Sequence, residues 1–216
     1  MRGGKIIPLA RFRALKTQRQ RPAPGWLGVY RWLWDTSLDR LTDYLQTLDE
    51  KGNTMDDLKI EAQPGKNFMT FSRTFDAPRE LVWRALSQPE HVIGWWGPHG
   101  HQNKVLAFDW QVGGKWKIES TLPDGQTIIF HGEYREIEPP RKVVQTFGVE
   151  GMFDGGYSID TVELEEVDGK TIYRGYSELP SVEARDGMME SGMEVGMRQG
   201  FERLDAMLEE WKQEAR

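Results

Sequence analysis

The sequence contains no cysteine. This absence excludes disulfide bonds, thiolate metal ligands and cysteine nucleophiles, and it is typical of a cytoplasmic protein. No run of about 18 apolar residues occurs, so the sequence predicts no membrane-spanning helix and no membrane partner. The net charge of −6 over 216 residues argues against nucleic acid as the main partner.

The sequence also lacks the short motifs of common active sites, such as a nucleophile elbow, a dinucleotide-binding loop or a Walker motif. His99 and His101 are close together, but no carboxylate pattern accompanies them, so we expect both at the surface. Glu133 and Tyr134 beside His131 are candidate acid–base groups, yet strand alternation places Glu133 and His131 on the face opposite Tyr134. We therefore assign no catalytic residue, no metal ligand and no cofactor.

Acidic residues are absent from the first 34 residues, which contain eight basic residues. Residues 35–216 hold the other 20 basic residues and all 34 acidic residues, a net charge of −14. A basic, acid-free N-terminus is typical of a transit peptide, a nucleic-acid-binding arm or a leader without a fixed structure. We interpret residues 1–54 as a basic leader with a short amphipathic helix at about 35–50, and residues 55–66 as a linker.

The pattern of residues 67–213 predicts a single α+β domain. Residues 68–75 form an aromatic-rich strand, and two prolines then begin two short helices. A long helix follows Pro180-Ser181 and reaches about residue 213, with a break near Gly187. A curved antiparallel sheet around this helix would bury every apolar face. The strands between the short and long helices are predicted at 105–110, 115–122, 127–136, 142–149, 158–167 and 170–179.

The closing helix carries an apolar stripe with glycines beside it. A glycine inside a helix costs about 1 kcal/mol relative to alanine. Gly192, Gly196 and Gly200 therefore indicate either a close approach to the sheet or room for a ligand. Methionine adapts well to a variable guest, although such stripes usually belong to a filled core. The stripe members are four, four, four, three, four and three residues apart: Met189, Met193, Met197, Phe201, Leu204, Leu208 and Trp211.

These features predict an internal cavity between the sheet and the long helix. Tryptophan and tyrosine suit its wall because each combines a large apolar area with a polar atom. The predicted lining residues are Trp95, Trp96, Phe108, Trp116, Ile118, Phe130, Tyr134, Phe147, Tyr173, Met189, Met193, Gly196, Met197 and Gly200.

Five short motifs, taken in order, resemble the START-like (SRPBCC) superfamily. Over about 67–212 the sequence is most similar to the branch of the heat-shock-protein-90 ATPase activator homologue domain. The resemblance implies a helix-grip fold with an apolar cavity, but it implies no particular ligand and no catalytic residue. The motifs are Phe75-Asp76-Ala77-Pro78, Trp95-Trp96-Gly97-Pro98, Gly113-Gly114-x-Trp116, Gly132-Glu133-Tyr134 and Ser191-Gly192-Met193-Glu194.

The leader contains a second similarity. Ser37–Leu45 parallels Gly200–Leu208 of the closing helix. Residues 1–54 are thus interpreted as a remnant of an upstream copy, or as an over-extended start ahead of an ordinary beginning at Met55. The alternative is a chance similarity between two amphipathic helices.

Three functions fit these features. The first is the binding of a small apolar molecule in the cavity of a cytoplasmic, stress-linked protein. The second is a co-chaperone-like interaction module, with a chaperone or a second copy of the chain as partner. The third is an enzyme of the cyclase or hydratase type that acts by pocket shape. An apolar lining would favour the first, an exposed apolar patch the second, and a buried Glu or His facing the cavity the third.

Overall fold

The computed structural model describes residues 58–150 and 156–214. The prediction for residues 1–54 lies outside them. Eight strands and four helices occur within the described ranges. In chain order they are β1 (Lys59–Glu61), β2 (Phe68–Phe75), α1 (Arg79–Ser87), α2 (Pro89–Trp95), β3 (Gln102–Phe108), β4 (Lys115–Thr121), β5 (Thr127–Glu138), β6 (Lys142–Val149), β7 (Ser158–Val167), β8 (Lys170–Glu178), α3 (Val182–Glu190) and α4 (Met193–Glu214).

All eight strands form one antiparallel sheet in the order β1-β2-β8-β7-β6-β5-β4-β3. Strands β3 to β8 follow one another across the sheet, and β2 then pairs with β8 along its whole length. The register shifts in β3 between Val105 and Ala107 and in β5 between Tyr134 and Glu136. Such bulges bend and twist a sheet. This curved sheet with a long C-terminal helix is the predicted helix-grip fold, which the structure confirms.

The long helix docks on β2 and β8 through tightly packed aromatic rings. Phe75 and Leu204 are fully buried. The Phe201 ring of α4 meets the Phe75 ring edge-on at 5.4 Å and the Tyr173 ring at 5.2 Å. Helix α1 is tied to the same region, because the Thr171 hydroxyl donates to the Ala77 carbonyl at 2.7 Å. The apolar stripe of α4 thus fixes the helix against one half of the sheet.

Two element predictions are wrong in detail. The helical break lies at Gly192, which has a φ of +82°, while Gly187 is buried inside α3. Glycine adopts this left-handed conformation without strain and so ends α3 sharply. The predicted linker at 55–66 also contains β1, which pairs with β2 at the edge of the sheet. A strand of three residues is too short to give a clear periodic signal.

None of the helices in 58–150 and 156–214 combines the length and the apolar character needed to cross a membrane.

Candidate ligand cavity

A cavity of about 270 Å³ lies between the sheet and the helices. Strands β2 to β8 all contribute to one side of its wall, and helices α1 to α4 contribute to the other. Thirteen of the fourteen predicted lining residues are in the wall. Met189 is not among them; it packs against the core while its neighbour Met188 lines the cavity. The stripe spacing fails at Met189 because the break at Gly192 separates α3 from the periodicity of α4.

An aromatic cluster covers the wall where α2 ends. The Trp96 ring centre lies 5.8 Å from those of Trp116 and Phe130 and 6.4 Å from that of Phe147. Edge-to-face contacts at such distances add to the stabilisation from burial. The neighbouring Trp95 is fixed differently, since its indole N–H donates to the Ala85 carbonyl at 2.9 Å. Both indoles line the cavity from a short, well-held segment.

The backbone that follows α2 is held by two polar side chains. The Asn103 amide donates to the Trp96 carbonyl at 2.7 Å. The Arg203 guanidinium of α4 lies 3.3–3.5 Å from the carbonyl oxygens of residues 96–98. A helix end leaves carbonyl groups without partners, and these donors satisfy them. The position of the Trp96 side chain therefore depends on both β3 and α4.

Gly132 of the motifs and Gly200 of the closing helix allow close packing around the cavity. A Cβ atom at Gly132 would lie 2.6 Å from the Trp116 ring and 1.9 Å from the Thr146 carbonyl oxygen. A Cβ atom at Gly200 would lie 3.0 Å from the Trp95 carbonyl oxygen. Gly200 thus serves the close approach of α4 to the end of α2. Gly196 is buried and lines the cavity.

The wall contains one carboxyl group, that of Asp160 on β7. The hydroxyls of Ser158 and Ser177 donate to its Oδ1 at 2.9 and 2.5 Å. Gln145 of β6 lies directly opposite Asp160 and also lines the cavity. Burial raises the pKa of Asp160 from 3.8 to about 6, although the two serine hydrogen bonds act in the other direction. This residue was missed in the sequence; its signal is the alternation of Ser158, Asp160 and Val162 along the strand.

A second polar group of the wall consists of His101 and Ser120, and Asn103 outside the wall is hydrogen-bonded to Ser120. His101 Nδ1 lies 3.1 Å from Ser120 Oγ, and Ser120 donates to Asn103 Oδ1 at 2.9 Å. The prediction that His101 is a surface residue is therefore wrong, since its side chain is half-buried in the cavity wall. Because the serine proton is given to Asn103, a hydrogen bond between His101 and Ser120 requires the tautomer with the proton on Nδ1. This polarity is the reverse of the one that activates a serine nucleophile.

The other candidates for chemistry lie apart from the cavity. His99 is exposed, with Nε2 3.1 Å from Glu202 Oε2. His131 is exposed on the outer face of β5, opposite Tyr134 as the alternation predicts. In the described parts of the chain, no group of three or more His, Asp or Glu side chains is arranged to hold a metal ion. The cavity is therefore a mainly apolar site with two polar groups in its wall.

Similar folds occur in several solved structures. A protein from Arthrobacter aurescens is 29% identical with a TM-score of 0.65, and the alignment covers 70% of this chain and 91% of that one. A protein from Rhodobacter sphaeroides is 28% identical with a TM-score of 0.63, covering 69% and 98%. A protein from Chromobacterium violaceum is 28% identical with a TM-score of 0.60, covering 66% and 97%. Comparison with the curated proteins found no match.

The family profile described as Activator of Hsp90 ATPase homolog 1-like protein matches residues 76–209. This match extends from the start of α1 into the last turns of α4 and so includes most of the cavity wall. The matched range includes the motifs Trp95-Trp96-Gly97-Pro98 and Gly132-Glu133-Tyr134, both of which contribute residues to the cavity wall. The chain belongs to the family of Activator of Hsp90 ATPase homolog 1-like proteins.

Proposed function

We propose that this domain binds a small, mainly apolar molecule in the cavity between the sheet and α4. The observation that carries the proposal is the cavity itself, with a volume of about 270 Å³ and a wall of aromatic, methionine and aliphatic side chains. Protein interiors are close-packed, and an apolar void of this size lacks the contacts that stabilise a filled core. A ligand of matching shape would restore those contacts.

The size and the lining restrict the class of ligand. Pockets for drug-sized molecules usually measure about 300–1,000 Å³, so this cavity suits a molecule at the small end of that range. Met188, Met193 and Met197 line the helical side of the wall. Their flexible side chains allow guests of somewhat different shape. The rings of Phe130 and Phe147 offer flat apolar surfaces on the sheet side, and Trp96 at the end of α2 packs against both.

Titration with the neutral fluorescent probe N-phenyl-1-naphthylamine tests this proposal. The native chain should bind it saturably, with an increase in fluorescence. Gly196→Leu should weaken binding roughly tenfold, because the new side chain would occupy the cavity. Ala206→Leu is the matched control, since it adds a leucine side chain at an exposed position of the same helix and should change nothing.

Each possible result of this titration leads to a different conclusion. Circular dichroism must show that both variants are folded. If folded Gly196→Leu binds the probe as the native chain does, the cavity beside α4 is not the binding site. If the native chain shows no saturable binding, the proposed function is wrong. If the native chain does bind the probe, native mass spectrometry of protein from its own host tests for a retained small molecule.

The enzymatic alternative is favoured by two titratable side chains in the cavity wall, the part-buried carboxyl group of Asp160 and the half-buried imidazole of His101. A buried acid whose pKa lies near neutrality is suited to proton transfer. A catalysed reaction would require substrate turnover that Asp160→Asn abolishes. A chaperone partner, a second copy of the chain as partner, a cytoplasmic location and a role in stress stay predictions from the sequence and the family.

A further inference from the structure

The carboxyl group of Asp160 is satisfied at one oxygen and free at the other. Both serine hydrogen bonds end on Oδ1, at 2.9 Å from Ser158 and 2.5 Å from Ser177. No side chain or backbone group in the described ranges donates to Oδ2. Because Asp160 belongs to the cavity wall, this second oxygen is available to a donor inside the cavity.

The charge of Asp160 also lacks a counterion. Among the residues that the structure describes, no lysine, arginine or histidine forms an ion pair with it. Arg73, a buried cation of the neighbouring half of the sheet, is already paired with Asp205 of α4. A part-buried carboxylate without an opposite charge is costly, and burial raises the pKa of Asp160.

The surroundings of Asp160 combine one negative charge with aromatic rings. Phe147 lies on β6 directly opposite Ser158 and lines the same cavity. Burial raises the pKa of the Tyr173 phenol on β8, and the nearby Asp160 charge raises it further. Aromatic faces attract cations when both are removed from water. A positive group at this place would therefore find a carboxylate oxygen and ring faces together.

We propose that Asp160 anchors the protonated nitrogen of an otherwise apolar ligand, so that the cavity prefers a small hydrophobic amine. This inference rests on the proposed function, because it specifies the ligand class of the same cavity. A charge-assisted hydrogen bond from an ammonium group to Oδ2 would supply both the missing donor and the missing counterion. The apolar part of the ligand would then occupy the aromatic and methionine wall.

The test is displacement of N-phenyl-1-naphthylamine by three ligands of equal ring size. They are 2-naphthylmethylamine, which is protonated at about pH 7.5, 2-ethylnaphthalene, which has no polar group, and 2-naphthylmethanol, which is a neutral donor. The native chain should bind the amine roughly tenfold more tightly than either neutral ligand. Asp160→Asn should remove this preference and leave the affinity for 2-ethylnaphthalene within about twofold. Glu163→Gln, an exposed position on the same strand, should behave as the native chain.

Each outcome addresses a different part of the inference. Equal binding of all three ligands by the native chain would overturn the anchor while the proposed function stands, and this result needs no variant. Equal binding of the amine and the alcohol would overturn the cationic class. An equal loss of all three ligands in Asp160→Asn would assign the residue a structural role. Failure of the native chain to bind the fluorescent probe would instead refute the proposed function.

Discussion

Asp160 is a residue whose charge opposes folding. Its pKa is raised to about 6 by burial, from 3.8 for an ordinary aspartate. A carboxyl pKa that is higher in the folded chain contributes stability below the unfolded pKa, and this contribution is lost as the pH rises through about 6. Asp160→Asn should therefore be more stable than the native chain at high pH, by about 2–3 kcal/mol, and should lose most of this advantage near pH 4.

Urea unfolding of the two proteins at several pH values measures this difference. The asparagine keeps a carbonyl oxygen for the two serine donors, so the comparison isolates the charge. Contributions from other carboxyl groups cancel between the two proteins. A stability difference that does not vary with pH would show that burial does not destabilise the charged form of Asp160. Glu163→Gln serves as the exposed control on the same strand.

Trp96 is half-buried and has one side on the cavity. Replacing a fully buried tryptophan by alanine costs about 3–5 kcal/mol. We expect Trp96→Ala to cost about 1 kcal/mol, but to weaken binding of N-phenyl-1-naphthylamine roughly tenfold. Trp116→Ala is the comparison, since Trp116 is only 2% exposed and should show the full core cost. A loss above roughly 3 kcal/mol with binding preserved would make Trp96 an ordinary core residue.

Position 132 requires glycine because neighbouring atoms leave no room for a Cβ atom, and not because of its backbone conformation. A methyl group there would collide with the Thr146 carbonyl oxygen, a backbone atom that cannot move cheaply. Gly132→Ala should therefore cost about 2–3 kcal/mol in chemical unfolding and should displace Trp116. Gly125→Ala offers a contrast, because nothing lies within 4 Å of its Cβ position and only the positive φ is strained. If both variants lose the same stability, the proposed collision at Gly132 is not important.

At the scale of elements, the Arg73–Asp205 ion pair joins β2 to α4. Arg73 is 5% exposed and also lies over the rings of Phe75 and Phe201. Removing one partner of a buried pair leaves an uncompensated charge, so Asp205→Ala should cost about 3 kcal/mol. The double variant Arg73→Met with Asp205→Ala should recover a large part of this loss.

Thermal and urea unfolding of the single and double variants measure the coupling between β2 and α4. Glu194→Ala is the control on the same helix, because the Glu194–Arg198 pair is exposed at the glutamate and should contribute less than about 0.5 kcal/mol. If Asp205→Ala costs no more than this control, the ion pair does not hold the helix on the sheet. The docking would then depend on the Phe75, Phe201 and Leu204 contacts alone.

At the scale of the whole molecule, the eight strands and the cavity-lining residues that the structure describes lie within 58–150 and 156–214. The family match also begins only at residue 76. A chain that starts at Met55 should therefore melt within a few degrees of the full chain and bind the fluorescent probe equally well. Differential scanning calorimetry of both chains measures this. A large loss of stability would show that residues 1–54 contribute to the folded domain.

The sequence alone predicted the fold and part of the wall, because these follow from local patterns. The predicted bounds of β2, β6 and β7 agree with the structure, since alternation and turn residues are properties of neighbouring positions. The helical spacing of α4 likewise placed Met193, Met197 and Gly200 on the cavity side. Local periodicity is sufficient when each element buries one face.

Only the tertiary structure decided the features that depend on distant partners. Gly187 and Gly192 are equal as sequence signals, and the positive φ at Gly192 is what separates α3 from α4 and moves Met188 into the wall. Gly200 is explained by Trp95, more than a hundred residues earlier. Asp160 differs from the other acidic residues of its strand because Ser177 of the next strand donates a hydrogen bond to it and because the aromatic wall excludes water from its carboxyl group. The burial of a charge depends on what the other strands and helices place around it, and no local pattern contains that information.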